Sequence, residues 1–253
     1  MPAPNVTPDP PPEQLATPAG DVPLAEYRLR LAGREWGVLH TASVWSFWDE
    51  QRFLSEERDR LPYGIVLWPA AVALAHDVAA RGDALHGRAV LELGAGTGLP
   101  GIVAATMGAR VVQTDRNELT LQVCQRNGTR NGVGGGSAAA IEYRLADWAA
   151  WDDARRYDVI LGADVMYGEA MHPHLRRILA DNLAPGGRVL LADPFRSAAL
   201  RLLEVMEADG WTVAVTKWSV GEDAVDADPR PIGVFELTPP ASGGGAKARH
   251  DAT

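Results

Sequence analysis

The sequence predicts an α/β domain built on a mostly parallel sheet with helices on both faces. Three observations lead there. Short, almost wholly apolar runs recur from residue 89 onward: "AVLELG", "RVVQTD", "IEYRLA", "YDVILGAD", "RVLLADP", "WTVAVTKWS" and "IGVFELT". Such runs suit strands covered on both faces. Helical stretches separate most of them, and strand–helix alternation implies parallel strands joined by right-handed crossovers. Hydrophobic residues make up 46% of the 253, enough for a sizeable core in one large domain or a small pair.

Taken in order, residues 1–22 carry seven of the 18 prolines and almost no large apolar residues, which predicts a disordered tail. The stretch "PPASGGGAKARHDAT", residues 239–253, reads the same way, leaving a folded domain over 23–238. In "EYRLRLAGREWGVLH" apolar and polar residues alternate around Gly33, predicting a small N-terminal β-hairpin extension. The charged segment "SFWDEQRFLSEERDRLPYG" is a short helix or loop. A helix follows in "PAAVALAHDVAARG", opened by Trp68-Pro69 and ended by Gly82.

The bulk properties narrow the function classes. A net charge of −9 argues against a nucleic-acid partner, which needs a basic surface for phosphates. No apolar run reaches the ~20 residues of a bilayer span, and no signal-like leader is present, so a cytoplasmic address and no membrane partner are expected. The one cysteine, Cys124, excludes an internal disulfide and a Cys-rich metal site and is expected to be a plain buried thiol. His172 and His174 flank Pro173 without a third ligand nearby, so a surface loop is expected there and no metal.

In open parallel sheets, ligands bind beyond the carboxyl ends of the strands, so the strand-end residues carry the functional reading. The first core strand ends in "LELGAGTGLPG", where Glu92 precedes Gly94, Ala95, Gly96 and Gly98. Glycines at a strand-to-helix turn let a ligand approach the backbone closely. The dinucleotide fingerprint fails at Leu99, and the Lys-Ser/Thr ending of a phosphate-binding loop is absent. The second strand ends at Asp115, twenty-one residues after Gly94, where a carboxylate can accept two ribose hydroxyls or cap the next helix. At the third, Asp147 can accept from an adenine amino group, and Trp148 offers a flat surface beside the ring or packs in the core. Trp151 reads as core or lid, and Trp68 as a cofactor cover or a helix staple. The fourth strand ends in "LGADVMYGE", where Asp164 and Tyr167 are expected on the same side of one helical turn, with Asp164 also a candidate N-cap.

The pattern acid-x-Gly-x-Gly-x-Gly resembles the first motif of S-adenosylmethionine-dependent methyltransferases. Joined to "LWPAA", Asp115, "DW" at 147–148 and "GADVMY", it resembles methyltransferase family 16, the seven-strand protein lysine methyltransferases, over roughly residues 60–210. The resemblance implies a Rossmann-like seven-stranded sheet and S-adenosylmethionine as cofactor. It implies that Trp68, Gly94 to Gly96, Asp115, Trp148 and Ala163 line the cofactor, and that Asp164 and Tyr167 position the target amine. "ADPFR" at 192–196 is similar to an Asp-Pro-x-Arg stretch in the branch acting on the electron-transfer flavoprotein β subunit, with Phe195 where that branch is expected to have glycine. That substrate is not carried over.

An aspartate near pKa ~3.9 is a poor base for an ammonium near ~10.4. Asp164 therefore reads as a group that orients the amine and stabilises the developing cation, with Tyr167 offering a hydroxyl and a π face. The expected acceptor is a lysine on a protein substrate. The alternatives are a small-molecule amine, phenol or thiol, and a non-catalytic protein that keeps the fold. The segment 24–60 is expected to border the acceptor site.

Overall fold

The computed structural model describes residues 13–18, 20–44, 47–56, 63–133, 141–220 and 231–240. Its centre is a seven-stranded sheet of β7 (Ala89–Leu93), β8 (Arg110–Asp115), β9 (Ile141–Leu145), β10 (Tyr157–Ala163), β11 (Leu183–Asp193), β12 (Thr212–Ser219) and β13 (Pro231–Thr238). In space the order is β12-β13-β11-β10-β7-β8-β9. β10 and β11, β10 and β7, β7 and β8, and β8 and β9 pair in parallel; β13 is antiparallel to both β11 and β12. All seven predicted runs are strands, and the α/β class expected from them holds. The chain runs outward from β7 through β8 to β9, then returns to the other side of β7 as β10. That reversal is the topological switch point, where connections leave in opposite directions and a crevice opens at the strand ends.

Parity along β7 assigns its residues to two cores. Val90 packs on one face with α2 (Pro69–Ala80) and α3 (Leu99–Thr106); Leu91 and Leu93 pack on the other with α5 (His172–Asn182) and α6 (Ser197–Ala208). Alanine dominates α2, so the helix lies close on the sheet with Ala70, Ala73 and Ala75 all buried. Among the described residues no helix is long and apolar enough to cross a membrane.

The predicted hairpin is β3 (Ala25–Leu31) and β4 (Arg34–His40), joined by a two-residue turn in which Ala32 and Gly33 both take positive φ, 50° and 72°. Such turns match the strand twist. The free edge of β4 is finished by a helix rather than a strand. On α4 (Glu118–Arg130) and its cap, Asn127 and Asn131 stand one turn apart. Asn127 accepts from Leu39 N at 2.7 Å and donates to Leu39 O at 3.1 Å; Asn131 does the same for Gly37 at 3.2 and 2.8 Å. Two amide side chains thus satisfy the alternate backbone groups that a neighbouring strand would satisfy. Asn127 also donates to Thr97 O at 2.9 Å, fastening this layer to the glycine turn.

Two sequence expectations change and one alternative is resolved. The part of the expected 1–22 tail from residue 14 onward instead contributes β1 (Gln14–Thr17) and β2 (Gly20–Pro23), because Leu15 and the adjoining Leu24 bury against Leu39, Ile65 and Val123. Residues 1–12 and 241–253 of the expected tails lie outside the described residues. The helix-or-loop segment contains α1 (Phe47–Glu56), and His172 and His174 open α5 rather than sit in a loop, with His172 Nε2 donating to Met166 O at 2.9 Å. The remaining short strands, β5 (Ala42–Ser43) and β6 (Val66–Leu67), pair in parallel beneath α1.

Asn127→Ala should strand Leu39 N–H and two carbonyls in a buried place, at a cost on the order of 2–4 kcal/mol. Urea unfolding should show a lower midpoint with the slope unchanged; an unaltered midpoint would remove Asn127 from this role.

Candidate active site

The turn from β7 to α3 is held from below. Glu92 is 1% exposed, and its Oε2 accepts from Gly101 N at 3.1 Å and Gln113 Nε2 at 2.5 Å. Gln113 Nε2 also reaches Gly98 O at 2.7 Å, and the Cys124 thiol donates to Gln113 Oε1 at 3.2 Å. Glu92, the acid of the acid-x-Gly-x-Gly-x-Gly pattern, faces inward on the α3 side of the sheet, the face shared with Val90. Gly101 leaves room for its carboxylate: a Cβ there would lie 2.3 Å from Oε2. Burial pushes the Glu92 carboxyl from 4.5 up to about 8, against the opposing hydrogen bonds from Gln113 and Gly101. Cys124 is fully buried, and burial raises its thiol well above the ordinary value.

Above this brace the backbone passes through left-handed conformations at Gly94, Gly96 and Gly98, φ 60°, 57° and 81°. Close packing adds a second requirement for glycine, since a Cβ on Gly94 would stand 3.0 Å from Val165 Cγ1 and one on Gly96 3.1 Å from Gly64 O. Ala95 is anchored through its N–H to Thr114 O at 2.8 Å. Gly96 N donates to Asp115 Oδ2 at 3.2 Å, and Asn117 N to Oδ1 at 3.0 Å. The N-cap of α4 is Asn117, which accepts from Leu119 N and Thr120 N, so Asp115 is not consumed as the helix cap. Burial raises the Asp115 carboxyl, with the Asn117 and Gly96 bonds opposing.

Asp147 caps a single 3₁₀ turn, Trp148–Ala150, by accepting from Ala149 N at 2.9 Å. Half-buried Trp148 brings its ring edge to 3.8 Å from where a Gly94 Cβ would be. Trp151 donates to Asn182 Oδ1 at 2.9 Å and packs in the core under α5, settling its reading as packing. Trp68 is the residue before α2, extended at φ −94°, with Pro69 at the first helical position. Its Nε1 donates to Tyr63 O at 3.1 Å, its ring stacks on Tyr63, centroids 6.5 Å apart, and Phe53 of α1 meets it edge-on at 6.0 Å.

Across the switch point, Gly162 of β10 is level with Leu93 of β7, which sets Ala163 and Asp164 beside Gly94. The expected helical turn is not there. Asp164 has φ 57°, residues 165–168 are non-helical, and α5 starts only at His172, with Pro173 in its first turn. Val165 and Met166 are buried, and Tyr167 turns out 66% exposed. A left-handed non-glycine residue costs on the order of 1 kcal/mol and collects at functional sites. Asp164 is held through N–H to Ala192 O at 2.8 Å, and its carboxylate takes a charged hydrogen bond from Arg196 Nη1.

Arg196 is the arginine of the "ADPFR" stretch at the end of β11. It also donates through Nη2 to Glu50 Oε1 of α1 at 3.1 Å, and its N–H bonds Asp193 Oδ1 at 2.7 Å. Burial, with the charge of Asp164 beside it, lifts Asp193 to about 7. Phe195 has φ 61°, which explains why glycine is natural there; its ring packs edge-on against Phe235 at 5.5 Å. Asp193 ends β11, Gln113 lies two residues before the end of β8 and Arg196 three residues beyond β11, and that closeness to strand ends is the signal that could have found them; Glu50 carries no comparable signal.

A family model described as lysine methyltransferase matches residues 49–204. Protein N-lysine methyltransferase METTL21A of Danio rerio is 40% identical over 141 residues, 54% of this chain and 63% of that protein. METTL21A of Xenopus tropicalis is 33% identical over 144 residues, 56% of this chain and 66% of that protein. The matched region thus spans just under two thirds of those relatives. The 16S rRNA methyltransferase RsmC of T. thermophilus, solved with AdoMet and guanosine, shares the fold at a TM-score of 0.53 and 22% identity, covering 85% of this chain and 50% of that one.

Because Glu92 keeps its proton in the folded chain between pH 4.5 and about 8 and loses it in the unfolded chain, its contribution to stability is full below pH 4.5 and fades as pH rises through 8. Glu92→Gln, whose amide oxygen can take both existing bonds, should therefore gain on the wild type as pH rises from 5 to 8. Thermal melts across that range check it; a constant offset would contradict the buried, protonated carboxyl.

Proposed function

Because the chain belongs to the lysine methyltransferase family, we propose that it transfers the methyl group of S-adenosylmethionine to a lysine side-chain amine on a protein. The observation that carries this reading is the placing of Asp164 beside the glycine turn across the switch point. The residues present suit the cofactor: the left-handed turn at Gly94 and Gly96 keeps side chains off the end of β7, and the Asp115 carboxylate is bonded to that turn through Gly96 N. In this reading Asp115 accepts the ribose hydroxyls, Asp147 and Trp148 border the adenine, and Trp68 and Ala163 complete the wall. Glu92 supports the turn from behind.

S-adenosylmethionine, when bound, supplies an electrophilic methyl on a sulfonium. The acceptor nitrogen must arrive with a free lone pair, so an ammonium near pKa ~10.4 must first lose a proton. A carboxylate beside it raises that pKa and takes the proton poorly, so the proton leaves to water and Asp164 is not the base. Asp164 aims the lone pair and stabilises the positive charge that grows on nitrogen. Tyr167 offers its hydroxyl to the amine and its ring face to the methylated cation. Its exposure opens the acceptor side to a side chain presented by another protein.

Methyl-labelled S-adenosylmethionine incubated with the protein and a cell lysate should give discrete labelled protein bands, with the label on lysine. Asp164→Asn should lower transfer on the order of 100-fold or more while S-adenosylhomocysteine still binds. Label confined to small metabolites would overturn the protein acceptor, and loss of cofactor binding in Asp164→Asn would move Asp164 into the cofactor shell.

A further inference from the structure

Three carboxylates converge on one guanidinium at the acceptor side of the crevice. Arg196 Nη1 bonds Asp164 and lies 3.6 Å from Asp193 Oδ2, while Nη2 bonds Glu50 at 3.1 Å. Their side chains are largely sealed from water: 24% exposed for Arg196, 15% for Glu50, 7% for Asp164 and 0% for Asp193. An ion pair in such a place is far less screened than one on the surface, and it fixes geometry.

The cluster also joins parts that are far apart in the chain. Asp164 and Phe195 are the left-handed residues at neighbouring strand ends, and Arg196 ties the two ends together through its side chain to Asp164 and its N–H to Asp193. Glu50 belongs to α1, which precedes the sheet altogether. One turn further along α1, Phe53 packs edge-on against both Tyr63 and Trp68, at 5.7 and 6.0 Å. The helix therefore reaches from the aromatic wall by the glycine turn to the carboxylate assigned to the amine.

We propose that Arg196 is a positioning residue of the acceptor site, holding Asp164 on one nitrogen and Glu50 of α1 on the other, so that the seating of α1 and the aim of Asp164 are coupled. This rests on the reading of Asp164 as the group that orients the amine. Arginine suits the task because its planar fork can serve two carboxylates at once, whereas lysine is a point charge that serves one well. The coupling would let a protein substrate that presses on α1 alter the geometry at the reacting nitrogen.

The test uses the full chain as wild type, Arg196→Gln, Arg196→Lys, Glu50→Gln and the double variant Glu50→Gln/Arg196→Gln. Hydrogen exchange is read over residues 47–56, and transfer is read from methyl-labelled S-adenosylmethionine to lysate proteins. Arg196→Gln and Glu50→Gln should both speed exchange in α1 and leave S-adenosylhomocysteine affinity unchanged. Transfer should fall on the order of 10- to 100-fold in Arg196→Gln and less in Glu50→Gln. The double variant should be no slower than Arg196→Gln alone, because both act through one link. Arg196→Lys should recover part of the transfer without restoring α1 protection, a split that a purely structural arginine would not give. Unchanged α1 exchange in both single variants, or additive losses in the double, would overturn the proposal. If Arg196→Gln unfolds the chain, Glu50→Gln decides on its own. If the wild type binds S-adenosylhomocysteine but labels no protein, the functional reading fails, and α1 exchange still decides the coupling.

Discussion

A carboxyl sealed under the first strand-to-helix turn is the interaction on which the functional edge depends. Glu92 gathers Gly101 N–H and the Gln113 amide, and Gln113 in turn holds Gly98 O and the Cys124 thiol. The start of α3, the end of β7 and the middle of β8 and α4 are thereby tied to one buried point. Burying a carboxyl is costly unless it is hydrogen-bonded, and its raised pKa shows the compromise reached: the neutral form is kept. The glycines above it turn left-handed in places where a Cβ would meet Val165, Gly64 O or Cys124 Sγ. The bare backbone at the crevice follows from that arrangement.

The other half of the site is built on strain rather than on freedom. Asp164 and Phe195 occupy backbone conformations that glycine would take without cost, and each is held by specific partners: Arg196 and Ala192 O for the first, Phe235 for the second. Placing a carboxylate in a strained position at a strand end fixes its direction more narrowly than a flexible turn could. The two halves meet at the switch point because β10 returns beside β7.

Much of this could be read from the sequence, for a physical reason. Strands buried on both faces must be apolar throughout, so "VILGA" or "VLLAD" announces itself, and the glycine turn and Asp115 stand where such strands end. What could not be read depended on contacts distant in the chain. The inward turn of Glu92 requires Gly101 and Gln113 to be recognised as its partners, nine and 21 positions away. Nothing local distinguishes a helical Asp-x-x-Tyr from one that starts left-handed; the burial of Val165 and Met166 decides it. Leu15 is a single leucine in a proline-rich stretch, and its strand exists because Leu24, Leu39, Ile65 and Val123 close around it. The pair from Arg196 to Glu50 spans 146 positions.

The glycine turn should hold the cofactor with its sulfur toward Asp164, which holds the acceptor on the other side of the crevice. A crystal structure of the complex with S-adenosylhomocysteine tests it most directly. The ribose hydroxyls should lie on Asp115, the adenine beside Trp148, the backbone of Gly94 to Gly96 against the amino-acid portion, and the sulfur should face Asp164. A ligand whose sulfur points away from Asp164, or whose ribose makes no contact with Asp115, would contradict it.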